Sequence, residues 1–380
     1  MVAPCSNLKD MLHTYDSRIA ISALSKEVGV EIRGFKLIEA IASGALSRKT
    51  AMRKSLESCM AHAGLLVFRE QGFPLSGDEQ VRISSLFGAG EMESTHGVHK
   101  KADNEHIFRL SNDDDEGIVG PGAEWHCDGS FTEDVFSHAG YHIVEIPENG
   151  SAGTSFSHLG VVNDLLDPKE LRVLEQMATV NSNSGVLHPI VFTHPMSKRR
   201  SVFFHLAMSG AVVHVSESGQ RTALSKDEMA SLLNRLSDLY NHSRSALHHK
   251  YEAGDLVMID NWAVAHRAQD GSFSRRDGLR VVHRTTVKGN YKLSAGNLSL
   301  PESLPQGKGT PPTWFPPEAV WVEGYVGFRW RPCEPKDTSG GRRSLGQVQM
   351  QTPCWDSSKQ FSNPVPSRDA WTYRFARDEL

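Results

Sequence analysis

Long hydrophobic runs are absent from this sequence of 380 residues. Its most apolar windows, AGLLVF and VFFHLAMSGAVVHV, are short or interrupted by histidine, whereas a membrane-spanning helix needs about 20 apolar residues. The first residues, MVAPCSNLKDMLHTYDSR, carry charges where a secretory signal requires an apolar stretch. We therefore expect neither a membrane span nor export, and we predict a cytoplasmic location.

Cysteine is also scarce, and its spacing is irregular. The five cysteines are Cys5, Cys59, Cys127, Cys333 and Cys354, an odd number without any CxxC pair. Disulfide frameworks and zinc knuckles are marked by even numbers or closely spaced pairs. We therefore expect neither of them, which favours a reducing compartment.

Positive and negative charges are nearly balanced in this sequence. Lysine and arginine number 41 against 45 acidic residues, for a net charge of -4, so no basic surface of the kind that binds nucleic acid is expected. Apolar residues make up 39% and charged residues 23%, as in ordinary globular proteins. The sequence leaves both a monomer and an oligomer open.

Short strand-like segments alternate with helix signals over the first 290 residues. VGVEIRGF has the two-residue period of a half-buried strand, and the helical pattern after it ends at Gly64, a typical C-cap. Capping boxes are predicted at Ser76, Asp167 and Ser225, each followed by glutamate three residues later. Further strands are predicted from the apolar runs YHIVEI, RSVFFHLA, AVVHVS, DLVMID and LRVVHRTTV. Helices should therefore flank an all-β core.

The composition changes after about residue 290. Most of the 18 prolines lie beyond this point, in segments such as PPTWFPPEAV, and KDTSGGRRS has a composition that favours disorder. Aromatic residues nevertheless cluster between residues 314 and 330. We therefore predict a domain over residues 1–290 and a C-terminal extension over residues 291–380, of which residues 291–330 wrap over the core.

The peptide GAEWHCDGSF places His126 and Asp128 one residue apart. In a strand, both side chains would project to the same side and could reach one ion, while Cys127 would point away and serve in packing. A second peptide, GDLVMIDNWAVAHRAQD, contributes His266 shortly after a predicted strand. Each peptide alone is weak evidence. Together, two histidines and one carboxylate form the facial set that binds Fe(II) and leaves positions open for other ligands.

A third peptide, GLRVVHRTTV, contains two arginines. Arg280 and Arg284 would share one face of a strand, with their guanidinium groups about 13 Å apart at ~3.3 Å per residue. Guanidinium groups bind carboxylates through two parallel hydrogen bonds, so two inward arginines require two anions. A pair of surface salt bridges is the alternative.

In their order along the chain, these peptides resemble the TauD/TfdA-like (taurine dioxygenase) family of Fe(II)- and 2-oxoglutarate-dependent dioxygenases. The resemblance covers about residues 20–290 and includes the segments VGVEIRGF, LLVFREQ, DEQVRISSLFG, WHCDGSF, GTSF, GDLVMIDNWAVAH and LRVVHRTTV. It implies a β-rich fold built on a double-stranded β-helix (jelly-roll) barrel. It also implies oxidation of a C–H bond in a small substrate carrying a carboxylate or sulfonate, with O2 consumed and succinate and CO2 released.

The resemblance also implies roles for individual residues in the metal and co-substrate sites. His126, Asp128 and His266 correspond to the iron ligands of the family. Thr154 and Arg280 correspond to the residues that hold the distal carboxylate of 2-oxoglutarate, whose other end chelates the metal.

For the primary substrate, the resemblance implies two further contacts. Arg284 matches the position that binds an anionic group of the substrate. The loop MESTHGVHKK lies where relatives have a substrate-contacting histidine, which makes His96 and His99 candidates. A solvated surface histidine is the alternative for this loop.

Two other functions stay open. A non-oxidative metal-binding barrel, such as a cupin-like isomerase or a sugar-binding module, would keep the metal ligands but would not need Thr154 and Arg280. A non-catalytic member of the family would act as an interaction protein, with the aromatic C-terminal segment as its contact surface.

Overall fold

The computed structural model describes residues 3–72, 74–119, 122–149, 151–181, 184–216, 218–269, 272–294 and 296. The predicted wrap of the aromatic segment therefore lies almost entirely outside the described residues. The helices are α1 (Ala3–Tyr15), α2 (Leu37–Ala42), α3 (Ala51–Ala63), α4 (Gly77–Ser84), α5 (Leu159–Asp164), α6 (Pro168–Leu174) and α7 (Lys226–Tyr240). None of these described helices combines the length and the apolar character that a bilayer span requires.

The described part of the chain is β-rich with flanking helices, as predicted. The strands are β1 (Ala20–Ala23), β2 (Val30–Arg33), β3 (Leu65–Phe68), β4 (Phe108–Ser111), β5 (His138–Glu145), β6 (Thr154–His158), β7 (Met177–Asn181), β8 (Leu187–Pro189), β9 (Val191–Thr193), β10 (Arg200–Val202), β11 (Ser209–Val215), β12 (Arg221–Ala223), β13 (Ala246–His249), β14 (Leu256–Asp260), β15 (Val264–Ala268) and β16 (Val281–Val287).

The largest sheet has seven strands in the order β1-β2-β3-β14-β5-β16-β4. Only β2 and β3 are parallel neighbours in this sheet, and its other pairs are antiparallel. A three-stranded sheet has the order β13-β6-β15, a four-stranded sheet has the order β12-β11-β7-β8, and β9 pairs with β10. Neighbouring strands are therefore often distant in the sequence.

The seven-stranded and three-stranded sheets share one apolar core. Its buried residues are Val28, Leu65, Val67, Ala139, Tyr141, Ile143, Phe156, Tyr251, Val257, Ile259, Val264 and Val282. The opposite face of the seven-stranded sheet packs against α1 to α4 in a second cluster. The large sheet therefore lies between these helices and the small sheet, and buries both of its faces.

The register of the strands decides which polar side chains face this shared core. On β6, Phe156 lies opposite His266 of β15, and Thr154 lies two residues before Phe156. Opposite residues share a face of a sheet, as do alternate residues of one strand, so His266 and Thr154 lie on the side of the buried Phe156. On β5, Tyr141 lies opposite Arg284 of β16. Both sheets thus direct polar side chains to the space between them.

The predicted helix boundaries are confirmed where they depend on local chemistry. The capping boxes at Ser76, Asp167 and Ser225 all form both of their reciprocal hydrogen bonds. Gly64 follows α3 with φ of +86°, in the left-handed region that glycine adopts without strain. A Cβ atom at this position would also collide with Val264 of β15. Glycine is therefore required at position 64 for two reasons, its backbone conformation and the lack of space for a Cβ atom.

The expectation that the cysteines form no disulfide is wrong for one pair. Cys5 of α1 and Cys59 of α3 are joined, with their Cα atoms 4.7 Å apart. This pairing depends on the packing of α1 against α3, and therefore it cannot be deduced from the spacing of cysteines in the sequence. Cys127 is free and buried, as predicted for a packing residue. The cytoplasmic location stays a prediction.

Removal of this disulfide is expected to destabilise the protein. The Cys5→Ser variant should lose about 4 kcal/mol in the free energy of unfolding, because the crosslink restricts the unfolded chain across a sequence separation of 54 residues. Urea denaturation of the oxidised wild type and of the variant measures this loss. A thiol reductant should lower the wild-type midpoint to that of the variant and leave the variant unchanged. Equal midpoints without reductant would contradict the prediction.

Candidate metal and anion site

His126 and His266 meet across a short antiparallel contact. The His126 N–H donates to the His266 carbonyl at 3.0 Å, and the His266 N–H donates to the His126 carbonyl at 2.9 Å. His266 lies inside β15, whereas His126 forms an isolated bridge and Asp128 begins a turn. The regular strand predicted for the peptide GAEWHCDGSF is therefore wrong, although the peptide still points both side chains toward His266.

The three predicted metal ligands lie close together. One ligand atom from each of His126, Asp128 and His266 lies within 4.8 Å of the other two. The Oδ2 atom of Asp128 is 3.7 Å from Nε2 of His266, and the two imidazole centroids are 4.1 Å apart. None of the three residues is more than 9% exposed. Two imidazoles and one carboxylate are thus within reach of a single ion.

The protonation of these groups suits a metal ion. The ring Nδ1 of His126 is 2.6 Å from the Glu124 carbonyl oxygen. When Nδ1 carries the proton and donates it to this oxygen, Nε2 has a free lone pair for a metal ion. Burial lowers the pKa of both His126 and His266, so that the rings stay neutral. Burial opposes ionisation of Asp128, but the pKa of its carboxyl is lowered to about 2, and the positive charge of Arg284 is the largest cause of this lowering. Two neutral imidazoles and a carboxylate are donors that fit Fe(II).

Tyr141 contacts this group, although the sequence did not indicate it. Its hydroxyl is 2.9 Å from Nε2 of His266 and 3.4 Å from Oδ2 of Asp128. In the sequence, a tyrosine within the strand-like run YHIVEI has the pattern of an ordinary core residue. Only the pairing of β5 with β16, which sets Tyr141 opposite Arg284, places its hydroxyl here.

His205 is a second residue that sequence reasoning missed. Its ring centroid is 5.4 Å from that of His126, and it is 9% exposed. The Met208 N–H donates to Nδ1 of His205 at 3.0 Å, so Nε2 carries the proton of the neutral ring. The run RSVFFHLA was predicted to be one strand, but β10 ends at Val202, three residues before His205.

Arg284 lies beside the three predicted ligands. Its Nη1 atom is 2.8 Å from Oδ1 of Asp128, and its guanidinium carbon is 4.6 Å from the ring centroid of Phe108. Its Nε is buried and has no hydrogen-bond partner among the described residues. One edge of the guanidinium thus remains available to a further acceptor.

The two loop histidines occupy different environments. His96 stacks on Phe108, with ring centroids 4.4 Å apart and an interplanar angle of 19°. Burial lowers the pKa of His96 to about 4, and Arg284 adds to this effect, so the ring is neutral near pH 7. His99 is buried, and its Nδ1 accepts a hydrogen bond at 3.3 Å from the Lys101 N–H within its own loop. His96 is therefore the loop histidine that adjoins Arg284.

Arg280 is buried without a carboxylate partner among the described residues. It is 7% exposed, and its Nε donates to the Ala152 carbonyl at 2.9 Å. Burial lowers the pKa of its guanidinium, and the groups that oppose this effect are the phenols of Tyr251 and Tyr141. A buried cation without an anion is unfavourable, so this position calls for an anionic ligand. Thr154, 4% exposed, lies on the face of β6 that carries the buried Phe156.

The sequence matches one family model and several curated proteins. The model, described as taurine catabolism dioxygenase TauD, TfdA family, matches residues 39–286. An alpha-ketoglutarate-dependent sulfonate dioxygenase of Saccharomyces cerevisiae is 24% identical over 280 residues, which is 66% of this chain and 63% of that protein. An alpha-ketoglutarate-dependent 2,4-dichlorophenoxyacetate dioxygenase of Cupriavidus pinatubonensis is 28% identical over 261 residues, 60% of this chain and 86% of that protein. The match thus spans less than two thirds of the yeast protein.

The fold is similar to that of solved structures. A putative alpha-ketoglutarate-dependent taurine dioxygenase from Burkholderia xenovorans has a TM-score of 0.56 at 22% identity, over 72% of this chain and 93% of that one. AAD-2, solved in complex with Mn(II) and N-oxalylglycine, has a TM-score of 0.56 at 21% identity, over 73% of this chain and 99% of that one. At these identities the likeness concerns the fold alone.

Proposed function

The chain belongs to the TauD/TfdA family, and we propose that it is an Fe(II)- and 2-oxoglutarate-dependent dioxygenase that oxidises a C–H bond of a small anionic substrate. The observation that carries this proposal is the convergence of His126, Asp128 and His266 beside the partly buried Arg284. The buried Arg280 lies near Tyr141, whose hydroxyl contacts Asp128 and His266. When bound, iron and 2-oxoglutarate activate O2, release succinate and CO2, and supply the oxidant for the substrate.

In this proposal His126, Asp128 and His266 hold the iron on one face and leave its other positions to exogenous ligands. The Glu124 carbonyl orients the His126 ring through Nδ1. Asp128 keeps its charge because Arg284 holds its pKa low against the effect of burial. The protein thereby fixes the donor geometry before the metal arrives, which lowers the entropic cost of assembling the site.

Arg280 and Thr154 are proposed to hold the distal carboxylate of 2-oxoglutarate. Arg280 is a buried cation with no anion among the described residues. Thr154 lies on the same sheet face as His266. A carboxylate bound at Arg280 would anchor one end of the co-substrate while the other end reaches the metal. The short chain of the co-substrate thus links two sites that face the same core.

Arg284 is proposed to bind the anionic group of the primary substrate, beside His96. The unpartnered Nε of Arg284 provides a donor for an incoming carboxylate or sulfonate. This guanidinium lies over the ring of Phe108, on which the neutral His96 ring stacks. The names of relatives include a sulfonate dioxygenase, a 2,4-dichlorophenoxyacetate dioxygenase and an alkylsulfatase, which supports an anionic substrate. His99 stays a candidate with no described contact to Arg284.

The two sheets that share a core are proposed to form the double-stranded β-helix (jelly-roll) barrel of this family, within a domain over residues 1–290.

The family match favours an oxygenase over a cupin-like isomerase or a sugar-binding module. The buried Arg280 favours it as well, because neither of these alternatives requires a buried arginine to hold a co-substrate. The presence of all three metal donors and both arginines disfavours a non-catalytic interaction protein.

An anaerobic titration with Fe(II) followed by 2-oxoglutarate tests the proposal. We expect a weak visible charge-transfer band that saturates at one equivalent of each component. A non-oxidative metal-binding barrel would bind Fe(II) without developing the band on addition of 2-oxoglutarate. Absence of the band in folded protein would reject the oxygenase assignment. A succinate-release screen over sulfonates, carboxylates and amino acids in air would then identify the primary substrate.

A further inference from the structure

A buried tyrosine hydroxyl lies in the proposed co-substrate site without a hydrogen-bond partner. Tyr251 is 4% exposed, and its hydroxyl oxygen is buried with no partner among the described residues. A buried hydroxyl that makes no hydrogen bond loses its hydration without compensation. Such a group therefore indicates a ligand that supplies the missing partner.

The backbone places Tyr251 next to the residues proposed for 2-oxoglutarate. β13 ends at His249, which lies opposite Thr154 of β6, and Tyr251 follows two residues later. Its ring packs in the core shared by the two sheets, together with Phe156, and stands edge-on to the His249 ring at 5.3 Å. The ring is therefore fixed on the face that Thr154 shares with His266.

The electrostatic surroundings connect the same hydroxyl to Arg280. Burial raises the pKa of Tyr251 to about 12, and Asp255 adds to the rise. The Thr154 hydroxyl, which approaches the phenol without meeting hydrogen-bond geometry, and the charge of Arg280 oppose it. Conversely, Tyr251 is the first group that opposes the effect of burial on the pKa of Arg280. The guanidinium of Arg280 and the hydroxyls of Tyr251 and Thr154 thus lie together, and no described carboxylate accepts a hydrogen bond from them.

We propose that Tyr251 donates its hydroxyl hydrogen to the distal carboxylate of 2-oxoglutarate, so that this chain holds that carboxylate with three side chains, Tyr251, Thr154 and Arg280. The inference rests on the proposed function and adds a third hydrogen-bond donor to the proposed co-substrate site. A carboxylate offers about four acceptor sites, which one guanidinium and one threonine leave partly unused. Because the phenol stays protonated near pH 7, it remains a donor and does not repel the anion.

The Tyr251→Phe variant tests this role by removing only the oxygen atom. Calorimetric titration of the Mn(II)-loaded protein with N-oxalylglycine, an unreactive 2-oxoglutarate analogue, measures binding without turnover. We expect the affinity of the variant to fall by about 10- to 100-fold, as for loss of a hydrogen bond to a charged group. The Tyr291→Phe variant is the matched control, because its hydroxyl donates to the Thr193 carbonyl, and its affinity should equal that of the wild type.

Thermal denaturation of the metal-free protein separates this role from a purely structural one, because loss of a hydroxyl that stabilises the fold would lower the Tm. Removal of an unsatisfied buried hydroxyl should leave the Tm of Tyr251→Phe unchanged or higher. A lower Tm would mean that the hydroxyl has a partner in the protein, and would overturn the inference. Wild-type affinity in Tyr251→Phe would also overturn it and leave the proposed function intact. Failure of the wild type to bind N-oxalylglycine would instead count against the proposed function itself.

Discussion

The His266→Ala variant is expected to bind Fe(II) more than about 100-fold more weakly than the wild type and to lose the charge-transfer band with 2-oxoglutarate. Changes to groups that only orient a metal ligand cost about 10- to 100-fold in affinity, so loss of a ligand should cost more. His266 supplies one of three donor atoms that lie within 4.8 Å of one another. Competition against a chromophoric chelator under anaerobic conditions measures the affinity.

The His62→Ala variant is a matched control for this experiment. His62 is a partly buried histidine at the end of α3 whose Nδ1 contacts the Ser58 carbonyl. Its removal should leave the affinity for Fe(II) unchanged. Circular dichroism should show that both variants are folded. Wild-type affinity in folded His266→Ala would contradict the assignment of this histidine as a ligand.

The two arginines are expected to affect different ligands. Arg280→Ala should raise the KM for 2-oxoglutarate by at least about 30-fold, because it removes a buried charge contact of at least about 2 kcal/mol. Arg284→Ala should raise the KM for the primary substrate by a similar factor and that for 2-oxoglutarate far less. Steady-state succinate release with one substrate varied at a time measures both constants. Equal effects of either variant on both constants would mean that the two roles are shared, and the reverse pattern would mean that they are exchanged.

The contact between Arg284 and Asp128 adds a second effect to this experiment. The Nη1 atom of Arg284 is 2.8 Å from Asp128, and Arg284 is the leading group that lowers the pKa of this carboxyl against burial. Arg284→Ala should therefore also weaken Fe(II) binding at acidic pH. Arg284→Lys keeps a positive charge but loses the planar guanidinium. It should restore metal binding while leaving the substrate KM high.

The sequence indicated the parts of the site that local chemistry determines. The spacing of His126 and Asp128 placed two metal donors close together in any extended conformation, even though the peptide forms a bridge and a turn instead of the predicted strand. The capping boxes were predictable for the same reason, because each depends on residues three positions apart. The roles of these donors, and those of Thr154 and Arg280, stay predictions that follow from the family resemblance.

The remaining features depend on contacts between distant segments, which the sequence pattern does not specify. β14 lies between β3 and β5, and no periodicity within β14 determines these neighbours. Tyr141 and Tyr251 have the pattern of core residues, and only the register of the strands brings their hydroxyls to polar partners or to Arg280. The Cys5–Cys59 disulfide likewise depends on how α1 packs against α3.

The most direct test of the central claim is an anomalous diffraction map from crystals grown with Mn(II) and N-oxalylglycine. The account predicts a single strong peak within bonding distance of a nitrogen of His126, a nitrogen of His266 and a carboxylate oxygen of Asp128, with the distal carboxylate of the analogue at Arg280. A peak held by other side chains, or an occupied metal site with the analogue absent from Arg280, would contradict it.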